Sequence, residues 1–273
     1  GGAAAKKPIS QITLLGGLAS TTFWPIGHLL ADRLGWRGAL LVYAALALLT
    51  IPLHLAIPTG RFQPLPTPAG GAPPPLARGR REALLAGALY VLVATLTTFL
   101  NSGMSAHMIG ILAGLGVAPA LAVWIATLRG VGQSSARLCE VLSGGALTPF
   151  TLSVVATALL PLGFVAGLSS GSSALAAVAF AFLFGAGNGL VTIVRGTLPL
   201  ALFDPRSYGS LVGGLLVPSF FVAAAAPLAF AWVIERFGDA AALHLSTAVA
   251  VVVLAGALGT WLRFGRRRPG ERA

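Results

Sequence analysis

Charge is scarce in this sequence. Only 9% of its 273 residues are Asp, Glu, Lys or Arg, against roughly 25% in ordinary soluble domains. A water-soluble chain of this length can bury a good core but then needs a charged outer surface, which these few residues, gathered between apolar runs, cannot supply. Acidic residues are scarcest, seven in all. None falls at mid-depth of an apolar run: Glu140, Asp204, Glu235 and Asp239 stand at run ends or in turns. A carboxylate is the usual proton carrier inside a membrane, so proton coupling is expected to draw on residues outside this sequence. The single cysteine, Cys139, excludes an intrachain disulfide and a cysteine metal cluster. No nucleophilic triad, metal-ligand set or phosphate-cradling loop stands out, because Gly185-Ala186-Gly187-Asn188-Gly189 lies inside an apolar run rather than after a strand. Neither enzyme chemistry nor a cofactor is expected. The chain opens Gly1-Gly2-Ala3, with no methionine and no signal-peptide n-region, so an internal start is expected.

What the chain has in abundance is apolar length: 56% of its residues are hydrophobic. Eight runs are long enough to cross roughly 30 Å of hydrocarbon at about 1.5 Å per residue. They cover residues 10–31, 38–57, 83–112, 117–140, 149–168, 172–198, 208–234 and 239–263. The third exceeds one straight crossing, and Gly103 or the pair Gly110 and Gly114 is expected to mark where it breaks or becomes an external turn. Strands of about 10 alternating residues, the mark of a β-barrel, are absent. The fold class is therefore all-α integral membrane with eight transmembrane helices, and the lipid bilayer is its first partner.

The formal charge of +11 raises the question of nucleic acid, and the placement of the charge answers it. Thirteen of the 18 basic residues, among them Lys6, Arg61, Arg78, Arg80, Arg81, Arg206 and Arg266, fall on one side if the chain starts inside. Only Arg33, Arg37 and Arg236 fall on the other, while Arg129 and Arg195 lie within spans. This is the positive-inside pattern. It predicts a multi-pass protein of the cell (inner) membrane with both termini of the segment cytoplasmic, and no nucleic-acid partner. The excess of arginine over lysine points to a GC-rich bacterial genome.

Seven prolines fall between Pro58 and Pro75, followed by Arg78, Arg80 and Arg81. Such a composition gives an extended, solvated linker. It divides the chain into a two-helix unit (1–57), a cytoplasmic Pro-rich basic linker (58–82), a six-helix bundle (83–263) and a basic tail (264–273). Glycine, with 35 copies, recurs inside spans at Gly16, Gly17, Gly110, Gly185, Gly187, Gly189, Gly209, Gly213 and Gly214, where small residues let helices pack closely in lipid.

The segment Gly16-Gly17-Leu18-Ala19-Ser20-Thr21-Thr22-Phe23-Trp24-Pro25, leading to Leu34-Gly35-Trp36-Arg37, resembles the fifth helix of the major facilitator superfamily and its turn into the sixth. Arg129-Gly130-Val131-Gly132-Gln133 to Ala136-Arg137 is similar to the eighth helix of that family. Gly185 to Pro199 is similar to the tenth, and Tyr208-Gly209 to Gly213 to the start of the eleventh. The resemblance implies a secondary transporter of two six-helix bundles with a central cavity that opens alternately to each side, of which the first four helices have no counterpart here. The octapeptide Leu30-Ala31-Asp32-Arg33-Leu34-Gly35-Trp36-Arg37 looks like the family's cytoplasmic signature, but counting crossings from the linker puts it outside.

An ionisable residue inside the membrane is unfavourable by roughly 2.5–3.5 kcal/mol and usually lines a cavity or pairs inside a bundle. Arg129, with Gln133 and Arg137 at spacings of four, and Arg195, on one face with Asn188 and Thr192, are the sharpest substrate-binding candidates. A guanidinium suits a carboxylate. The bland alternatives are that Arg195 snorkels or ties down the Asp204 loop and that Arg129 caps carbonyls near Gly130 and Gly132. Thr97, Asn101 and Ser105 form a polar ladder on one helix, and Ser20, Trp24 and His28 form another; Asn101 and Trp24 join the candidates. The expected function is alternating-access transport of a small solute, with an anionic carboxylate as the class that fits and a proton as the candidate coupling ion. The alternative is a non-transporting membrane sensor or an inactive fragment of a transporter.

Overall fold

The computed structural model describes residues 6–56, 75–77, 79–144, 146–204 and 208–266. Over residues 6–28 it describes the backbone throughout but only part of the side chains. Most of the expected linker 58–82 lies outside the described residues.

Every described element is helical: α1 (Lys6–Leu49), α2 (Ile51–Leu55), α3 (Gly79–Gly114), α4 (Pro119–Leu142), α5 (Pro149–Gly167), α6 (Ala174–Leu202), α7 (Tyr208–Phe237) and α8 (Asp239–Thr260). A π turn over Trp261–Gly265 extends α8. Helix starts follow local chemistry. Proline at the first helical position opens α4 and α5, where its missing N–H removes nothing. Thr148 caps α5 by accepting from the Thr151 amide at 3.2 Å, and Ser173 caps α6 by accepting from Ala176 at 3.3 Å.

The helix α1 is interrupted at Gly35, whose φ of 69° and ψ of 169° are not helical and suit glycine. The chain reverses there. The Tyr43 hydroxyl donates to the Phe23 carbonyl at 2.8 Å and the two rings sit 5.9 Å apart. In a straight helix twenty residues would hold them about 30 Å apart. Two arms joined by a short turn is what the runs 10–31 and 38–57 predict.

Among the described residues six helical segments are long and apolar enough to cross a membrane: Leu29–Leu55, Gly79–Gly114, Pro149–Gly167, Ala174–Leu202, Tyr208–Phe237 and Asp239–Gly265. Their outer faces carry large apolar side chains in the open, among them Leu175, Phe220, Phe221, Leu228 and Trp232, an apolar surface far beyond what a soluble monomer exposes. The chain is a multi-pass helical membrane protein. Two of the eight expected spans are not in this set. The first falls where side chains are only partly described. The other, α4, carries Arg129, Arg137 and Glu140, and its polar face is turned toward α3 and α6 rather than diluted by further apolar residues.

One expectation is corrected in part. The third run does not break at Gly103 or Gly110, since α3 is continuous over 36 residues, but it does end at Gly114, where a turn follows at Leu115 and Gly116. The helix extends past the run at both ends, to Gly114 at one and to Gly79 on the linker side, where Glu82 pairs with Arg263 at 2.8 Å. Gly103 serves packing instead, since a Cβ there would run into the Phe230 ring of α7.

Helices α3 to α8 form a bundle whose contacts repeat. Helix α4 packs beside α6 as α7 packs beside α3, α5 lies against α6 as α8 lies against α3, and α5 meets α8. Tyr90 of α3 reaches residue 195 of α6, whereas Thr97 and Asn101 share a cavity with Asn188 and Thr192, so α3 and α6 run antiparallel. The bundle is thus two three-helix units of opposite orientation. The arms of α1 attach to it chiefly along α4.

Candidate functional site

Close approach of α4 and α6 sets up the site. A Cβ on Gly185 would collide with the Arg129 carbonyl, one on Gly132 with the Phe182 carbonyl, and one on Gly189 would stand 2.5 Å from the Gln133 carbonyl. These three glycines form a seam that only hydrogen atoms fit, which is the packing that small residues permit in lipid. The other intramembrane glycines divide. Gly187 meets Ala156 and Leu160 of α5, but Gly16, Gly110, Gly209, Gly213 and Gly214 face open space.

Proline shapes the same region. Pro199 has no N–H to give the Arg195 carbonyl four residues earlier, and the Tyr90 hydroxyl of α3 donates to that carbonyl at 3.0 Å. Pro227 leaves the Ala223 carbonyl in the same position, and Ser102 of α3 donates to it at 2.6 Å. His107, also on α3, stands 2.9 Å from the Pro227 carbonyl through Nε2 and stacks on Phe230. Side chains of one helix thus satisfy backbone groups that prolines free on two others, as a membrane interior requires.

A polar cavity of about 90 Å³ lies where α3, α4 and α6 meet. Thr97, Thr98 and Asn101 contribute from α3, Gln133 from α4, and Asn188, Thr192 and Arg195 from α6. Five of the residues singled out by spacing (Asn101, Gln133, Asn188, Thr192 and Arg195) therefore come together in one place. Arg129 borders it. Its Nη2 donates to Asn101 Oδ1 at 2.6 Å and its Nη1 to Ser105 Oγ at 2.9 Å, and the guanidinium lies over the Phe184 ring at 5.2 Å, an arrangement that adds cation–π attraction. Arg129 thus bonds to side chains of a neighbouring helix and not to carbonyls near Gly130 and Gly132. The Trp24 side chain lies outside the described residues; its backbone is in the first arm of α1.

The cavity groups differ in what they have left to offer. Thr97 and Thr98 donate to carbonyls one turn back, at 2.7 Å each. Thr192 donates to the Asn188 carbonyl at 2.9 Å, and the Asn188 amide donates to that of Phe184 at 2.8 Å. The side chains of Arg195 and Gln133 make no hydrogen bond or ion pair among the described residues, and both are half-buried. Arg195 does not tie down Asp204. Among the described residues no carboxylate lines the cavity. Donors therefore outnumber acceptors, in a space with room for a few waters or one small planar anion.

Arg137 is one of the thirteen basic residues that the charge distribution places on the cytoplasmic side, not one of the binding candidates. It is buried, with 5% of its surface exposed. It donates from Nε to the Gly189 carbonyl at 3.2 Å and from Nη2 to Thr192 Oγ1 at 3.0 Å, so it locks α4 to α6 directly below the cavity. Glu140, three residues on, stands near the helix end as expected but is only 4% exposed. The signal for Arg137 was in the sequence: it is the third member of the row Arg129, Gln133, Arg137. Among the described residues no group of His, Cys, Asp and Glu could hold a metal ion.

No protein-family model matches this sequence, and no curated protein matches it.

Proposed function

We propose that this chain is the larger part of a secondary transporter of the major facilitator type, moving a small carboxylate solute by alternating access. The observation that carries this reading is the cavity at the meeting of α3, α4 and α6, which Arg195 and Gln133 line with no side-chain partners among the described residues. In transporters built from inverted repeats, solute sites lie near mid-membrane where the repeats face each other, and α3 and α6 are the first helices of the two units here. In a low-dielectric site a guanidinium holds a carboxylate bidentately, with two parallel N–H···O bonds.

Within this reading the two arginines divide the work. Arg195 is the solute ligand, assisted by Gln133 and the free amide hydrogens of Asn101. Arg129 positions Asn101, since its bonds to Asn101 and Ser105 already occupy its outer nitrogens. Asn188 and Thr192 shape the wall opposite. The linker end of the bundle faces the cytoplasm by the distribution of positive charge.

The test is uptake by cells expressing the full-length protein, screened over short mono- and dicarboxylates beside neutral analogues of the same size. Carboxylate uptake that Arg195→Gln abolishes at unchanged membrane abundance supports the proposal. Uptake confined to neutral or cationic solutes, or equal uptake by the variant, contradicts it.

A further inference from the structure

A second concavity lies away from the polar cavity, between the halves of α3 and α7 nearest the linker. It is a groove of about 870 Å³, within the roughly 300–1,000 Å³ typical of sites for drug-sized molecules. One wall is formed by Ala83, Gly87 and Ala88 of α3, whose small side chains hollow it, and the other by Leu211 and Leu215 of α7. From Arg80 to Leu92, the lining residues at its two ends on α3, the groove runs twelve residues, or about 18 Å. That is close to half the roughly 30 Å hydrocarbon core with its interface added.

Two charged residues line it, both at the linker end: Arg80 and Asp204. Asp204 is engaged in a contact of its own. Arg80 is exposed and makes no hydrogen bond or ion pair among the described residues. Its position also works against its own helix, because a cation in the first turn meets the positive end of the helix dipole. An apolar trough one leaflet deep, with an uncommitted guanidinium at its mouth, matches an amphiphile with a negative head and a long hydrocarbon tail.

We infer that this groove holds one acyl chain of an anionic phospholipid from the leaflet at the linker end, with the lipid phosphate on the Arg80 guanidinium. Basic pockets between transmembrane helices recognise anionic headgroups in this way, and the planar fork of arginine matches two phosphate oxygens. The site is separate from the polar cavity and does not depend on the chain being a transporter.

The experiment uses the full chain in nanodiscs of equal parts phosphatidylglycerol, phosphatidylethanolamine and phosphatidylcholine of identical acyl composition. Lipids retained after release into detergent are counted by native mass spectrometry. Wild type is expected to retain one phosphatidylglycerol in preference to the other two by roughly fivefold, the discrimination one arginine gives near a membrane surface. Arg80→Ala should bring the three lipids to parity, while Arg81→Ala, a neighbour that does not line the groove, should leave the preference intact. Ala88→Trp, which fills the trough without touching the charge, should lower retention of all three, with an unchanged melting temperature reporting an intact fold. No preference in wild type, equal loss from Arg80→Ala and Arg81→Ala, or a dimer that Ala88→Trp dissociates would each overturn the inference.

Discussion

The Tyr90 hydroxyl donates to the Arg195 carbonyl at 3.0 Å, the carbonyl that Pro199 leaves without its helical partner. One hydrogen bond thus ties α3 to the turn of α6 that carries the cavity's uncommitted guanidinium. It satisfies a backbone group that could find no water in the membrane interior, and it holds that turn against α3.

A double-mutant cycle checks this relationship. Tyr90→Phe alone should lower stability by about 1–3 kcal/mol, because it strands a buried acceptor. In Pro199→Ala the restored amide can bond the Arg195 carbonyl directly. Tyr90→Phe in that background should therefore cost clearly less, by a coupling of at least about 0.5 kcal/mol, read from melting or detergent-unfolding curves. Strict additivity would mean that the hydroxyl does not serve the proline-freed carbonyl.

The glycine seam makes a contrast between positions that look alike in sequence. Gly189→Val should prevent folding or cost more than about 3 kcal/mol, because its side chain would drive α6 off the Gln133 backbone. Gly213→Ala faces open space and should change stability by no more than about 0.5 kcal/mol. Size-exclusion profiles and melting temperatures in one detergent decide it.

Arg129 and Arg195 should separate by stability. Arg129→Gln removes the bonds to Asn101 and Ser105 and the contact with Phe184, and is expected to cost about 1.5–3 kcal/mol. Arg195→Gln breaks no side-chain bond and should stay within about 0.5 kcal/mol of wild type. A thermal melt of both variants without added solute is sufficient.

Arg137 should behave as a structural lock. Arg137→Leu removes donors to the Gly189 carbonyl and Thr192 from a buried place beside Glu140, and should destabilise by about 1.5–3 kcal/mol or more. Arg137→Lys should recover only part of this, because an ammonium cannot reproduce two donors in one plane.

The helices and most of the cavity were legible in the sequence for a simple reason. A helix in lipid must be long and apolar, and residues four apart share a face, so Arg129 with Gln133, and Asn188 with Thr192, could be grouped before any neighbour was known. What the spacing could not supply was the identity of the facing helix. Arg129 turned out to be held by Asn101 and Ser105 of α3, and Arg137 to be buried rather than interfacial, because α6 approaches closely enough along its glycines to offer the Gly189 carbonyl. The same ignorance of neighbours made Gly189 and Gly213 look equivalent. Gly103 read as one place where its run could break or turn, whereas it accommodates a phenylalanine from a helix more than a hundred residues away in sequence.

The most direct measurement is a carboxylate titration followed by melting temperature, on the full chain and on its Arg195→Gln and Arg129→Gln variants. A short monocarboxylate that stabilises wild type should raise the melting temperature with the logarithm of its concentration once that exceeds the Kd. It should still do so, from a lower baseline, in Arg129→Gln, and fail to do so in Arg195→Gln, while its neutral amide stabilises none of the three. A carboxylate that stabilises Arg195→Gln as well as wild type would contradict the assignment of Arg195 as the solute ligand.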